Sequence, residues 1–205
     1  MRTIYLDNNA TTAVAPEVRD AILPYLSELY GNPSSMHTFG GQVAEAMENA
    51  RQSLASLLGA SPDEILFTSC GSESDSSAIW TALQTQPDRR HIITTRVEHP
   101  AVLNVIQHWE RHGYRVTYLA VDNKGRLDID EYEQALSGDT ALVSIMFANN
   151  EVGNIYPIQR MAEMAHEKGI LFHTDAVQAV GKTPIDLEHL PADLLSLSGH
   201  KMHAP

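Results

Sequence analysis

Side chains that are able to do chemistry stand at the ends of apolar segments in this chain. Lys201 and Asp175 each close such a segment, and the turn at 70–75 contains glycine and opens a helix-forming stretch. A desolvated lysine amine is a nucleophile, an aspartate at a strand end offers a fixed negative charge, and the first NH groups of a helix bind anions. The structural alternatives are a solvated lysine and helix capping, with Ser72 as N-cap and Asp75 as its capping-box partner.

Pyridoxal phosphate requires these three parts together. A lysine holds the cofactor as an imine, an aspartate faces the pyridinium nitrogen, and a helix N-terminus holds the phosphate. The joint placement of Lys201, Asp175 and the helix start therefore favours this cofactor. His99 precedes Pro100, which biases it to an extended backbone, so its imidazole is placed to stack on the ring or to relay a proton. A structural histidine at the sheet edge is the alternative.

Apolar runs that alternate with amphipathic stretches must position these residues. Strands are predicted at 64–69, 91–98, 115–121, 141–148, 169–174 and 192–198, and helices at 41–58, 72–83, 100–112, 130–136 and 158–168. This alternation predicts an α/β fold with a mostly parallel sheet flanked by helices. Ligands bind beyond the carboxyl ends of the strands in such sheets, where five of the six predicted strands carry polar or ionisable residues. The first ~60 residues are expected to form an arm and a long helix beside the sheet, with Gly59 as the helix C-cap.

Composition excludes several classes of protein. The 205 residues carry 14 Lys and Arg against 26 Asp and Glu, a net charge of −12, so neither nucleic acid nor a membrane surface is an expected partner. No signal-peptide stretch and no run of ~20 apolar residues is present, and a cytoplasmic location is expected. No metal site is expected, because His108 and His112 have the spacing of zinc ligands but lack a third.

Seven segments resemble those of a known family. They are YLDNNATT (5–12), GNPSS.H (31–37), EILFTSCGSES (64–74), EHPAV (98–102), ANNE.G (148–153), FHTDAVQA.GK.P.D (172–186) and LS.SGHK (195–201). In this order they resemble the cysteine desulfurases, which are class V, fold-type I enzymes dependent on pyridoxal phosphate. The resemblance covers the chain from Tyr5 to Pro205. The turn at 70–72 and the ending at 203–205 are most similar to the NifS type, which supplies sulfur for nitrogenase clusters.

This resemblance implies roles for the matching residues. Lys201, which holds the cofactor covalently, and His99, which stacks on the ring and exchanges protons, are the implied catalytic residues. Asp175 pairs with the pyridinium nitrogen, while Gln178 and Asn150 reach the ring oxygen or its neighbourhood. The phosphate is held by Gly71, Ser72, Ser198 and His200. The implied reaction converts L-cysteine to L-alanine, with sulfur passed as an enzyme persulfide to an iron–sulfur scaffold protein.

The family pattern continues beyond residue 205. In the family the persulfide-forming cysteine lies well past the cofactor lysine, and Cys70 does not match that position. The substrate-binding arginine and the small C-terminal domain are also missing. We therefore expect residues 1–205 to be an N-terminal arm plus most of the large cofactor-binding domain of an enzyme about twice as long. That enzyme is expected to be a homodimer, and the chain alone is expected to be poorly active or inactive.

Three questions stay open at this point. Cys70 is either a thiol activated by the neighbouring helix start or, as is commoner, a small buried hydrophobe. A selenocysteine lyase or a class V aminotransferase uses the same cofactor parts. A non-catalytic scaffold domain keeps the fold without the chemistry, and it would lack the visible absorbance band that borohydride removes.

Overall fold

The computed structural model describes residues 4–205, which divide into two compact units. One unit comprises the chain up to Phe67 together with Ile185–Glu188 and Gly199–Pro205, and the other comprises Thr68–Pro184 and His189–Ser198. Residues 1–3 of the predicted arm lie outside the described residues. Most of the candidate site residues belong to the second unit.

A parallel five-stranded sheet forms the centre of the second unit across the described residues, and it confirms the predicted fold class. The strands are β1 (His91–Thr95), β2 (Arg115–Leu119), β3 (Thr140–Ser144), β4 (Leu171–Asp175) and β5 (Leu194–Ser196). Their order is β2-β1-β3-β4-β5, and each neighbouring pair is parallel. The strand order therefore reverses between β1 and β3. In open parallel sheets a ligand-binding crevice forms at the carboxyl ends of the strands beside such a reversal.

Helices cover the sheet and connect its strands. In the second unit they are α3 (Gly71–Thr85), α4 (Pro100–Arg111), α5 (Ile129–Ala135) and α6 (Ile158–His166). A proline begins α4, where a missing NH is harmless, and the Asp128 carboxylate accepts the NH groups of Asp130 and Glu131 at the start of α5. The predicted helices of this unit are confirmed, with ends shifted by no more than two residues.

Burial explains why these runs form strands. Every residue of β1 and β3 is buried, as expected for strands covered by helices on both faces. One apolar core joins α3, α4 and the sheet, and its fully buried members include Ile79, Leu83, Ile92, Val102 and Ile106. Burying one such side chain contributes about 1.5–3 kcal/mol. The packing therefore holds α3 and α4 firmly against the sheet.

In the first unit, residues 4–67 form two α-helices and a 3₁₀ turn. Helix α1 (Pro16–Ser27) was not predicted; it begins with a proline and buries none of its side chains. Helix α2 (Thr38–Leu58) confirms the predicted long helix and begins three residues earlier, where the His37 ring accepts the NH of Gly40. Gly59 ends α2 at φ 68°, a left-handed conformation that glycine adopts without strain, so the predicted C-cap is confirmed. The expectation that the arm and this helix lie beside the sheet stays a prediction.

The strand predicted at 64–69 is wrong. Pro62–Glu64 forms a 3₁₀ turn, and the residues that follow pair with none of the described strands. Leu66 is 79% exposed and Phe67 is 43% exposed. A strand needs a neighbour for its backbone NH and carbonyl groups, and this apolar run has no ladder partner among residues 4–205.

Candidate active site

A buried carboxylate lies at the carboxyl edge of the sheet. Asp175 is the last residue of β4 and is 7% exposed. Its Oδ1 accepts the NH of Val177 at 2.9 Å, so the carboxylate also organises the turn that leaves the strand. Its neighbour on β5 is Ser196. The predicted position of Asp175 at a strand end is therefore confirmed, whereas its role stays a prediction.

The N-terminus of α3 lies at the same edge of the sheet. A Cβ atom placed on Gly71 would be 3.4 Å from Val177 Cγ2 and 3.5 Å from Ser198 Cβ. The helix start therefore packs against the segments that follow both β4 and β5. An α-helix leaves its first four NH groups without partners inside the helix, and Ser72 belongs to this first turn. These groups form the anion-binding end of a 15-residue helix.

Two predictions about this turn are wrong. Ser72 does not cap α3, because the helix begins at Gly71 and the N-cap residue is Cys70, whose side chain makes no capping bond. Asp75 is not a capping-box partner, because its side chain is buried. Glu73 secures the turn instead: its Oε2 accepts the NH of Ser69 at 2.5 Å.

His99 lies in the turn between β1 and α4 and is exposed. Its backbone is extended, at φ −62° and ψ 147°, as the following proline predicts. Its Nδ1 accepts the NH of Ala101 at 3.1 Å, which caps α4. A ring nitrogen that accepts carries no proton, so in the neutral imidazole the proton is on Nε2. Nε2 is therefore the donor atom of the neutral ring, and the role of His99 in proton transfer stays a prediction.

Asn150 and Gln178 follow β3 and β4 and are both half-buried. Asn150 Nδ2 donates to Glu151 Oε1 at 2.7 Å, and Gln178 Oε1 accepts from Lys182 Nζ at 2.9 Å. Both amides thus lie at the carboxyl edge of the sheet, as predicted. Their contact with a cofactor stays a prediction.

Lys201 belongs to the first unit, in the 3₁₀ turn Gly199–Lys201. Its amine donates to the backbone carbonyls of Asn9 and Ala10, the second at 2.9 Å. The motif at 5–12 therefore holds the amine in a defined position. The prediction that Lys201 faces Asp175 concerns residues of both units and stays a prediction.

His200 is fixed in the same turn of the first unit. Its Nδ1 is 3.1 Å from Thr11 Oγ1, and its carbonyl accepts the NH of Thr12 at 3.0 Å and the hydroxyl of Thr12 at 2.9 Å. Burial, followed by the charge of Lys201, lowers the pKa of His200. Its implied contact with a phosphate stays a prediction.

Cys70 is exposed, so its expected burial as a small hydrophobe is wrong. Its pKa is lowered from the ordinary value, first by the backbone NH of Glu73 and then by the Ser69 hydroxyl. This environment agrees with the alternative of a thiol activated by the helix start. The extended N-cap position explains the exposure, because it directs the residue out of the helix.

Glu98 is a buried carboxyl at the same edge of the sheet that was not predicted. It is 5% exposed, and its carboxyl accepts the Thr95 hydroxyl at 2.7 Å and the Met146 NH at 3.0 and 3.1 Å. It therefore joins the turn after β1 to the segment after β3, across the reversal of strand order. Burial raises its pKa to about 8, with smaller contributions from Asp175 and Asp75. The sequence feature that could have indicated Glu98 is its position directly before His99.

Asp75 is a second carboxyl that was not predicted to serve the site. It is 2% exposed, and its Oδ1 lies 3.7 Å from His173 Nε2. Burial, followed by the charge of Asp175, raises the pKa of Asp75 to about 7. The burial of Asp75 could have been predicted from helical spacing, because Asp75, Ile79 and Leu83 are four residues apart and lie on the buried face of α3.

These residues fit pyridoxal phosphate. Gly71 brings the anion-binding helix start into contact with Val177, which itself donates to the buried Asp175 carboxylate. A phosphate needs NH donors, and a pyridinium nitrogen needs a fixed negative charge. Both requirements are met at one edge of the second unit. The second unit therefore has the two groups with which an α/β fold binds a cationic ring that carries a phosphate: a helix N-terminus and a buried carboxylate.

Comparison with known proteins identifies the family. Residues 4–205 match the family described as Aminotransferase class-V, to which the chain belongs. Cysteine desulfurase from Trichormus azollae is 59% identical over 205 residues, covering 100% of this chain and 51% of that protein. Cysteine desulfurase NifS from Azotobacter vinelandii is 57% identical over 206 residues, covering 100% of this chain and 51% of that protein. The predicted resemblance to the cysteine desulfurases is confirmed.

Solved structures agree with the sequence relatives. A structure titled NifS-like protein has a TM-score of 0.96 and 43% identity, covering 100% of this chain and 57% of that one. A structure titled SspA in complex with cysteine has a TM-score of 0.95 and 39% identity, covering 99% of this chain and 59% of that one. This chain spans about half the length of the curated relatives it matches.

The predicted cofactor is confirmed for the family, since class V aminotransferases and their cysteine desulfurase members depend on pyridoxal phosphate.

Across residues 4–205, no helix has the length and apolar character needed to span a membrane.

Proposed function

We propose that this chain is the cofactor-binding part of a pyridoxal-phosphate-dependent cysteine desulfurase that converts L-cysteine to L-alanine. The observation that carries the proposal is the packing of Gly71 against Val177 and Ser198, because it brings the start of α3 to the edge where Asp175 lies. The names of the relatives support the choice of L-cysteine as substrate.

Residues of this chain bind and orient the cofactor in this proposal. The first NH groups of α3, at Gly71 and Ser72, hold the phosphate together with Ser198 and His200. The buried Asp175 carboxylate keeps the ring nitrogen protonated, and Lys201 attaches the cofactor covalently. Pyridoxal phosphate supplies an electron sink for the negative charge that develops on the substrate α carbon.

Proton handling falls to His99. Its Nδ1 accepts the Ala101 NH, so the neutral ring carries its proton on Nε2 and donates from that atom while it stacks on the cofactor. Proton uptake by His99 requires Nδ1 to release the Ala101 NH. Asn150 and Gln178 are half-buried amides after neighbouring strands, and they contact the ring oxygen or its neighbourhood. An amide at either position orients the ring without adding charge beside Asp175.

The remaining parts of the proposal concern the whole protein. It acts as a homodimer in the cytoplasm, passes sulfur as a persulfide, and delivers it to an iron–sulfur scaffold protein. The similarity to NifS of Azotobacter vinelandii supports delivery toward nitrogenase clusters. Residues 1–205 contribute the arm and most of the large domain. The persulfide cysteine is not Cys70.

Covalent labelling tests the cofactor assignment. The chain is incubated with pyridoxal phosphate, reduced with borohydride and digested, and the labelled lysine is located by mass spectrometry. Of the four lysines in the sequence, we expect stoichiometric label on Lys201 and a visible absorbance band that Lys201→Ala removes. Lys124→Ala, at an exposed lysine, is the matched control and retains both. Label spread over all lysines, or a colourless wild-type chain, refutes the proposal and favours a non-catalytic scaffold.

Product analysis separates the desulfurase from the alternatives. With dithiothreitol present to accept the sulfur and reduce it to sulfide, we expect alanine and sulfide in equal amounts from L-cysteine, at a rate far below that of the named relatives. Turnover of L-selenocysteine without turnover of L-cysteine would favour a selenocysteine lyase. Formation of a keto acid would favour an aminotransferase. A rate equal to that of the relatives would refute the expectation that residues 1–205 are poorly active alone.

A further inference from the structure

Buried polar side chains cross three strands of the sheet beside Asp175. His173 lies two residues before Asp175 on β4, so both side chains face the same side of the sheet. His173 Nδ1 is 2.9 Å from Ser144 Oγ on β3, and its Nε2 is 3.0 Å from Ser196 Oγ on β5. All four residues are buried. A polar layer of this kind inside an apolar core needs a reason, because each unsatisfied group in it costs stability.

Asp75 faces this layer from α3. Its Oδ1 is 3.7 Å from His173 Nε2 and has no hydrogen-bond partner among the described residues. The neighbouring Ser74 hydroxyl donates to Ser196 Oγ at 3.1 Å, which ties the same turn of α3 to β5. The titratable groups that face Asp75 are His173 and Asp175 on β4, and Glu98 in the turn after β1.

The layer offers no compensating charge to an ionised Asp75. A separation of 3.7 Å is too long for a hydrogen bond, and both nitrogens of His173 are already engaged by serine hydroxyls. Burial lowers the pKa of His173 to about 4, so the imidazole is neutral at neutral pH. The nearby carboxylate of Asp175 repels a second negative charge. A hydrogen bond from Ser196 lowers the pKa of Asp75, but burial and the charge of Asp175 raise it by more, so this carboxyl holds its proton more tightly than an ordinary aspartate.

We propose that Asp75 is a positioning residue for Asp175: Asp75 retains a proton while Asp175 carries the negative charge, which keeps one fixed anion at this edge of the sheet. The inference rests on the proposed function, in which Asp175 faces the ring nitrogen of the cofactor. If both carboxyls competed for ionisation, the proton would be shared between them. The ring nitrogen would then face a neutral acid for part of the time.

Carboxyl titration of the cofactor-free chain tests this assignment. Carbon-13 NMR of an aspartate-labelled chain follows each carboxyl from pH 3 to pH 9, with Asp75→Asn and Asp175→Asn used for assignment. We expect the Asp75 carboxyl to titrate well above an ordinary aspartate and to move down by about one pH unit or more in Asp175→Asn. The exposed Asp88→Asn is the matched control and leaves it unchanged. An Asp75 that titrates near pH 4, or that ignores Asp175→Asn, overturns the proposal.

Cofactor binding supplies a second, separable readout. Asparagine has the shape of the protonated acid and no charge, so Asp75→Asn is expected to bind pyridoxal phosphate with unchanged affinity and an unchanged visible spectrum at pH 7. A loss of about tenfold or more in a variant with native circular dichroism shows that the site needs an ionised Asp75, and this overturns the proposal. Failure of the wild-type chain to take up cofactor refutes the proposed function instead, because the titration is read without cofactor.

Discussion

Glu98→Gln tests how strongly burial opposes a charge at the centre of the sheet edge. The carboxyl is 5% exposed and receives one hydroxyl and one backbone NH. Glutamine keeps an acceptor for Thr95 and Met146, and it cannot ionise. The variant therefore removes one ionisable group from the second unit while conserving its shape.

The magnitude follows from the shift in the Glu98 pKa, from 4.5 to about 8. Because the folded state binds this proton more tightly than the unfolded state, Glu98 stabilises the fold below pH 4.5 relative to higher pH. That contribution is lost as pH rises to about 8. At about 1.4 kcal/mol per unit, the stability of the wild type relative to the variant should fall by about 3–4 kcal/mol between pH 5 and pH 8. This is a large share of the total for a domain, which is about 5–15 kcal/mol.

Urea unfolding of the cofactor-free chain at pH 5 and pH 8, followed by circular dichroism, measures this difference. Glu98→Gln should lose less stability than the wild type as pH rises. The exposed Glu133→Gln on α5 is the control and should follow the wild type at both pH values. Parallel pH dependences for wild type and Glu98→Gln would show that Glu98 ionises in the folded state without cost, and the reasoning from burial would fail.

Two further substitutions test the helix ends. Gly59→Ala should destabilise the chain by about 1–2 kcal/mol in urea unfolding, because φ is 68° and the added methyl group would meet the Asp186 carboxylate. Gly41→Ala on α2, where a Cβ would contact nothing within 4 Å, is its control and should stabilise the helix by up to about 1 kcal/mol. Asp128→Ala should cost about 0.5–2 kcal/mol in the same assay, since it removes the acceptor for two NH groups of α5, and Asp128→Asn should recover most of the loss. Equal stability of Asp128→Ala and wild type would contradict the capping role.

Periodicity predicted the parallel sheet because the central strands β1 and β3 are buried on both faces, which gives continuous apolar runs. The same signal failed at 64–69, where Leu66 and Phe67 are largely exposed. The pattern of apolar residues in one segment does not show whether another strand is available to pair with that segment. Helix α1 was missed although Val18, Ile22 and Leu26 recur at four-residue spacing, because Pro24 interrupts the segment and a proline argues against a helix interior.

The candidate site was predictable where chemistry coincides with a strand end. Asp175 and His99 are such residues, and the structure places both at the carboxyl edge of the sheet. Glu98 and Asp75 were missed because their partners are remote in sequence. Met146 lies 48 residues from Glu98, and His173 reaches Asp75 only after the intervening strands are assembled. Local patterns carry no information about such contacts.

These buried carboxyls show how strand order sets the geometry of the site. Because the order reverses between β1 and β3, the turn that carries His99 and the segment that carries Asn150 follow two neighbouring strands. Glu98 connects those two segments through the Met146 NH, and the layer around His173 connects β3 to β5. Neither connection needs a bound ligand. Glu98 and the layer around His173 therefore hold the segments that carry His99 and Asp175, although neither Glu98 nor His173 is among the predicted cofactor contacts.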